Sequence, residues 1–162
     1  NNGDLFFFDN IEFAKGEPTG SPGTNYCMAN ANSTGAAGAI SAAGSTTAAN
    51  NDMTITASSL PLTSFGFFIV SQTQGFVTMP GGSSGNLCLA GAIGRYVGPG
   101  QIQNSGLAGA ISLTLDLTST PQPNGFVSIL PGQTWNYQAW FRDSSMSGPT
   151  SNFTNGLQID YL

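Results

Sequence analysis

Apolar residues recur at every second position in several separate stretches of this chain, and no stretch carries an apolar stripe at helical spacing bounded by caps. Met53, Ile55 and Ala57 alternate with Thr54 and Thr56, and Ile111, Leu113, Leu115 and Leu117 alternate with Ser112, Thr114, Asp116 and Thr118. Such a pattern gives each segment one face for a core and one for water, as in half-buried antiparallel strands. Further strands are expected at Gly66 to Ser71, Phe76 to Met79, Asn86 to Ile93, Phe126 to Leu130, Thr134 to Arg142 and Leu157 to Tyr161. Pro80-Gly81-Gly82, Pro99-Gly100, Asn124-Gly125, Pro131-Gly132 and Asn155-Gly156 supply the reversals between them. The expected fold is all-β, an antiparallel two-sheet β-sandwich of jelly-roll or Ig-like type with about eight to ten strands.

The chain has 162 residues, enough for one domain with a sizeable core. Only 7% of them are charged, so hydroxyls and amides must solvate the surface. With a formal charge of −5 and Lys15, Arg95 and Arg142 as the only cations, no basic patch exists for phosphates, and nucleic-acid binding is not expected. No apolar run approaches the roughly 20 residues of a membrane helix. The chain opens on Asn1 without a charged region followed by an apolar one, consistent with prior removal of a signal peptide.

Residues 1–20 differ from the rest. Asp4, Asp9, Glu12, Lys15 and Glu17 are five of the chain's eleven charges, and they punctuate Leu5, Phe6, Phe7, Phe8, Ile11 and Phe13. On an extended strand Leu5, Phe7, Ile11 and Phe13 share one face, interrupted only by Asp9, and Gly16 to Gly23 reads as a Pro/Gly linker. Residues 1–20 are therefore expected to form an apolar strand extension and linker, a candidate donor strand, and residues 21–162 the sandwich. The same segment pairing within its own domain is the alternative.

Catalytic chemistry finds little to work with. The absence of histidine excludes Ser-His-Asp and Cys-His arrangements and histidine-ligated metals. A glycosidase pair could only come from Asp52, Asp116, Asp143 and Asp160, of which Asp116 and Asp160 alternate with core residues and should point to solvent while Asp143 sits at a strand end. No EF-hand spacing is present for calcium, and Lys15, the only lysine, reads as solvated and not as an isopeptide donor. No catalytic, metal or cofactor site is expected.

Four other features stand out. Cys27 and Cys88, 61 residues apart, are expected to form a disulfide that stabilises the fold by roughly 4 kcal/mol and implies an oxidising, secreted location; two separate buried thiols are the alternative. Asn32-Ser33-Thr34 and Asn152-Phe153-Thr154 match the N-glycosylation acceptor pattern, making Asn32 and Asn152 possible glycan sites. Trp135, Tyr137 and Phe141 share one face of a strand and are expected in the core, while Trp140 lies on the opposite face with Asn136, Gln138 and Arg142, at the surface or an interface. An internal echo also links Asn32 to Ser41 with Asn104 to Ser112, at intervals too unequal for a solenoid.

The motifs Gly23-Thr24-Asn25-Tyr26-Cys27, Ser71-Gln72-Thr73-Gln74-Gly75, Gly85-Asn86-Leu87-Cys88-Leu89, Gly94-Arg95 and Gln133 through Asp143, with the two sequons, resemble the C-terminal β-domain of large secreted proteins of planctomycete-type bacteria. The resemblance covers about residues 21 to 162 and implies no particular activity, since none is established for that family. There the domain ends a longer chain; here only the apolar segment precedes it, which suggests a free-standing subunit. The functional expectation is a structural subunit of an extracellular filament or surface assembly, a self-assembling homo-oligomer joined by β-strand addition of residues 4 to 14. A carbohydrate-binding or adhesive cell-surface module is the alternative.

Overall fold

The computed structural model describes residues 21–162; the expected strand extension, with Leu5, Phe7, Ile11 and Phe13, lies outside the described residues. The chain is almost entirely β, as its alternation predicts. Fourteen strands run through the described residues: β1 (Thr24–Tyr26), β2 (Ala39–Gly44), β3 (Met53–Ser58), β4 (Phe65–Ser71), β5 (Thr73–Thr78), β6 (Asn86–Ala90), β7 (Gly94–Arg95), β8 (Gln103–Asn104), β9 (Ile111–Leu115), β10 (Thr120–Gln122), β11 (Gly125–Val127), β12 (Thr134–Ser145), β13 (Gly148–Phe153) and β14 (Gly156–Asp160). Two short 3₁₀ turns, Ala48–Asn50 and Pro80–Gly82, are the only helical pieces among them. The strand number exceeds the eight to ten expected because several strands are only two or three residues long.

Two sheets enclose the main core. The larger has seven strands, ordered β1-β14-β12-β4-β7, with β13 beside the far half of β12 and β8 beside the start of β4. The smaller is β9-β3-β2. Inward-facing Trp135, Tyr137, Ala139 and Phe141 of β12 pack with Phe68, Val70, Leu157 and Ile159 against Ile40, Met53, Ile55, Ala57 and Ile111 of the small sheet. The expected assignment of Trp135, Tyr137 and Phe141 to the core is thus what the structure contains.

The internal echo has a structural meaning. Ile40 and Ile111, which end the matching Gly-Ala-Ile stretches, both pair with Ala57, and Ser41 and Ser112 both pair with Thr56. The two similar segments therefore flank β3 in the same register as the edges of one sheet. Carboxamides close both edges: Asn25 donates to the Ile40 carbonyl (2.9 Å), Asn155 accepts from the Ile40 amide (2.9 Å), and Gln103 donates to the Ser112 carbonyl (2.6 Å). In a chain so poor in lysine, these side chains blunt edges that would otherwise invite strand pairing.

The large sheet has a second buried face, which two-sheet reasoning does not anticipate. The β5–β6 hairpin lies across it, placing Leu89 against Ile69 and Phe153. The outward-facing Gln138, fully buried, anchors the hairpin. Its carboxamide donates to the carbonyls of Asn86 and Thr154 (2.8 Å each) and accepts from the Cys88 amide (2.9 Å). Gly85 must be a glycine beside this contact, because a Cβ there would overlap the Asn152 side chain and the Phe153 amide. Since an unpaired buried polar group costs about 1–3 kcal/mol, Gln138→Leu, which orphans three of them, should lower unfolding free energy by about 3 kcal/mol or more in urea denaturation, whereas Gln122→Leu, half-buried at the end of β10 with its amide bonded to the adjacent Pro121 carbonyl, should change it little.

Every tyrosine in the chain is withdrawn from water to some degree. Tyr137 and Tyr161 share a buried hydroxyl–hydroxyl bond of 2.8 Å, while the Tyr96 hydroxyl, buried near them, has no hydrogen-bond partner. Burial pushes Tyr26 and Tyr161 up to about 12 and raises Tyr96 and Tyr137 further. A phenol with a folded-state pKa above its ordinary value of about 10 stays protonated in the native state while the unfolded chain ionises, so its contribution to stability is complete below about pH 10 and is lost as the pH rises toward 12. Tyrosinate absorbance should accordingly stay flat through pH 10 and then rise together with loss of the fold. A tyrosine titrating near 10 in a folded protein would contradict this packing.

Candidate functional site

The covering hairpin reaches only part of the large sheet, and what it leaves open is a groove. Its floor is outward-facing Phe67 and Ile69 of β4, Trp140 of β12 and Phe153 of β13. One wall is Leu87 of β6 with the Pro80–Gly82 turn, and the other is the extended run Ile93, Arg95 and Val97, whose alternate side chains face in. The groove's volume is about 550 Å³, within the range of ligand pockets. A second depression of about 480 Å³ on the other side of the same run is lined by Gly91, Ile93, Arg95, Val97, Gln122 and Pro123.

The groove is apolar with a cationic rim. Trp140 and Phe67 pack with ring centroids 5.1 Å apart and planes tilted by 33°, and the Arg142 guanidinium lies 5.7 Å from the Trp140 ring centroid. Arg95 and Arg142 are the only cationic side chains between residues 21 and 162, and both border this one groove. Trp140, expected at the surface or an interface, is half-buried at the groove floor.

The cysteines are joined. Cys27, just after β1, and Cys88, in β6, form a disulfide with Cα atoms 6.2 Å apart, tying the covering hairpin to the edge of the large sheet. Around it Tyr26 donates to the Cys88 carbonyl (3.0 Å) and Asn30 to the Ser84 carbonyl (2.9 Å). One wall of the groove is thereby held in place by a crosslink.

The four aspartates of the described residues lie apart from the groove lining. Asp116 accepts from the Thr118 hydroxyl (2.6 Å) and amide (3.0 Å), bonds that hold its carboxyl below the usual range. Asp160 accepts from Thr134 (2.7 Å), and Asp143 from the Ser33 amide (3.0 Å) and Asn152 (3.2 Å). These are turn and strap contacts. Among the described residues no group of three or more His, Cys, Asp or Glu side chains could hold a metal ion. Nor is any helix there long and apolar enough to cross a membrane.

Neither sequon asparagine offers its amide to solvent. Asn32, buried, donates to the Ser59 carbonyl (2.7 Å), and its oxygen accepts from both the amide and the hydroxyl of Thr34. Asn152 is 0% exposed; its nitrogen donates to Ala31 and Asp143, and its oxygen accepts from the Phe153 amide (2.8 Å). A glycan on either nitrogen would break these bonds and need space that is filled. The sequon hydroxyls serve the fold instead, Thr34 bonding Asn32 and Thr154 accepting from the Ala139 amide (3.0 Å).

Sequence reasoning located Trp140 but not the groove, whose walls depend on how the hairpin folds over the sheet. The one available signal was the second alternating run, Ile93, Arg95 and Val97, with a cation in place of its central apolar residue. In comparisons with protein-family models, with curated proteins and with solved structures, nothing matches the chain. When the chain is secreted from a glycosylating host, its intact mass should contain no N-linked glycan at Asn32 or Asn152; a folded protein carrying one would require both asparagine environments to be redrawn.

Proposed function

We propose that the chain is a structural subunit of an extracellular filament or surface assembly, joined to its neighbours through the N-terminal apolar segment, and that it performs no catalysis. The observation that carries this reading is the character of the surface. Phe126 (70% exposed), Phe76 (61%), Met79, Val77 and Leu130 stand out from the described residues, which hold only six charged side chains to keep copies apart. Apolar residues that crowd one stretch of surface, as Phe76, Val77 and Met79 do along and just after β5, mark interaction surfaces when they form a contiguous patch. The disulfide supports an oxidising location.

The carbohydrate-binding alternative is less well supported. Stacking on a sugar uses an open aromatic face, and Trp140, the half-buried tryptophan of the groove, is crowded by Phe67 and by the Arg142 guanidinium. The fully buried Trp135 is unavailable.

Burying four large side chains of the segment would contribute on the order of 1.5–3 kcal/mol each before the entropy of ordering them is subtracted. The full chain should therefore sediment as polymers at high concentration, and Phe7→Asp combined with Ile11→Asp should leave monomers with an unchanged circular dichroism spectrum. A full chain that remains monomeric at high concentration would end the assembly reading.

A further inference from the structure

The groove on the outer face of the large sheet matches one segment of this chain, and we infer that it seats Leu5 to Phe13 of a neighbouring copy. The inference rests on the assembly reading above and adds to it the place of contact. The match lies in the order of residue types. On the groove wall Ile93, Arg95 and Val97 present an apolar, a cationic and an apolar side chain at successive alternate positions. In the N-terminal segment the corresponding alternate positions are Phe7, Asp9 and Ile11, apolar, anionic and apolar.

Asp9 is otherwise hard to place. It is the one charge on the apolar alternation of Leu5, Phe7, Ile11 and Phe13, and burying it against hydrocarbon alone would be costly. Arg95 is the one charged residue lining the groove. Arg95 is exposed at the groove wall, so seating the segment with Asp9 at Arg95 gives the carboxylate a guanidinium partner while the apolar neighbours fill the groove.

The wider charge balance agrees. Residues 1–20 carry four carboxylates and one lysine, and the only two cations of residues 21–162, Arg95 and Arg142, both border this groove. Four apolar side chains from Phe67, Trp140, Leu87 and Phe153 remain to receive large hydrophobic residues. Phenylalanines on such aromatic walls gain edge or offset contacts as well as burial.

The test uses the full chain. Phe7→p-benzoylphenylalanine is irradiated, and the crosslinked peptides are mapped by mass spectrometry after separation of monomer from dimer. A dimer crosslinked to peptides containing Phe67, Leu87, Trp140 or Phe153 is expected and supports both inferences. The same peptides crosslinked within a monomer would uphold the groove as the seat and overturn the assembly reading. Dimers crosslinked elsewhere would overturn the groove and leave assembly standing. In parallel, Arg95→Glu should weaken assembly about tenfold, and Asp9→Arg added to it should restore most of the loss. A double variant no better than Arg95→Glu alone would exclude the pairing of these two charges.

Discussion

The buried carboxamide of Gln138 determines how this domain is layered. Residue 138 lies on the longest strand, whose other face is occupied by Trp135, Tyr137, Ala139 and Phe141 in the main core. A polar side chain buried there must find partners, and it finds them on the β5–β6 hairpin and at Thr154. The hairpin is thus drawn onto the sheet by hydrogen bonds at its centre, by Leu89 beside them and by the Cys27–Cys88 crosslink. Asn136 repeats the device one step along the strand, donating to the Ser71 carbonyl and accepting from Gln74.

Carboxamides and hydroxyls do here what charges do in ordinary domains. Asn25, Asn155 and Gln103 close the edges of the small sheet, while Asn32 ties the loop around residues 30–36 to Ser59 and Asn152 of β13 ties it at Ala31. The outer face of the small sheet is knit by hydroxyl pairs, Thr54 with Thr114 (3.0 Å) and Thr56 with Ser112 (2.9 Å). Neutral groups need no counter-ion and are little affected by salt, but they also provide no repulsion between copies. A surface built this way keeps copies apart only weakly, in line with the proposed assembly.

The legible part of the fold was the part with alternating side chains. β3, β4, β9, β12 and β14 were read from their sequence because each buries a face in the main core, and that burial imposes the period, while β5, β6 and β11 were read from apolar runs bounded by Gly, Pro and Asn turns. β1, β7, β8 and β10 contain two or three residues each and are defined by backbone pairing, which leaves no side-chain period to read. β2 and β13 escaped for another reason: Ala39–Gly44 is dominated by small residues, and β13 begins with Gly148 and Pro149. Asn32 and Asn152 looked like surface acceptors because the sequon is a local pattern, whereas their burial comes from Ser59, Ala31 and Asp143, all distant in sequence or across a hairpin. The disulfide was readable because only two cysteines exist.

The outward face of β12 shows why the groove opens where it does. Along that face the chain places Asn136, Gln138, Trp140 and Arg142 in succession, running from amide to aromatic to cation. The two amides need hydrogen-bond partners and hold the hairpin over the first half of the strand. Trp140 presents one donor, its indole N–H, in place of a carboxamide, and there the hairpin gives way to the Pro80–Gly82 turn, leaving the indole as a floor bordered by Phe67, Leu87 and Phe153. Arg142 follows, exposed, with its guanidinium 5.7 Å from the Trp140 ring centroid. A single strand therefore specifies both the closed half of the outer face and the apolar, cation-rimmed half that is free to receive another chain segment.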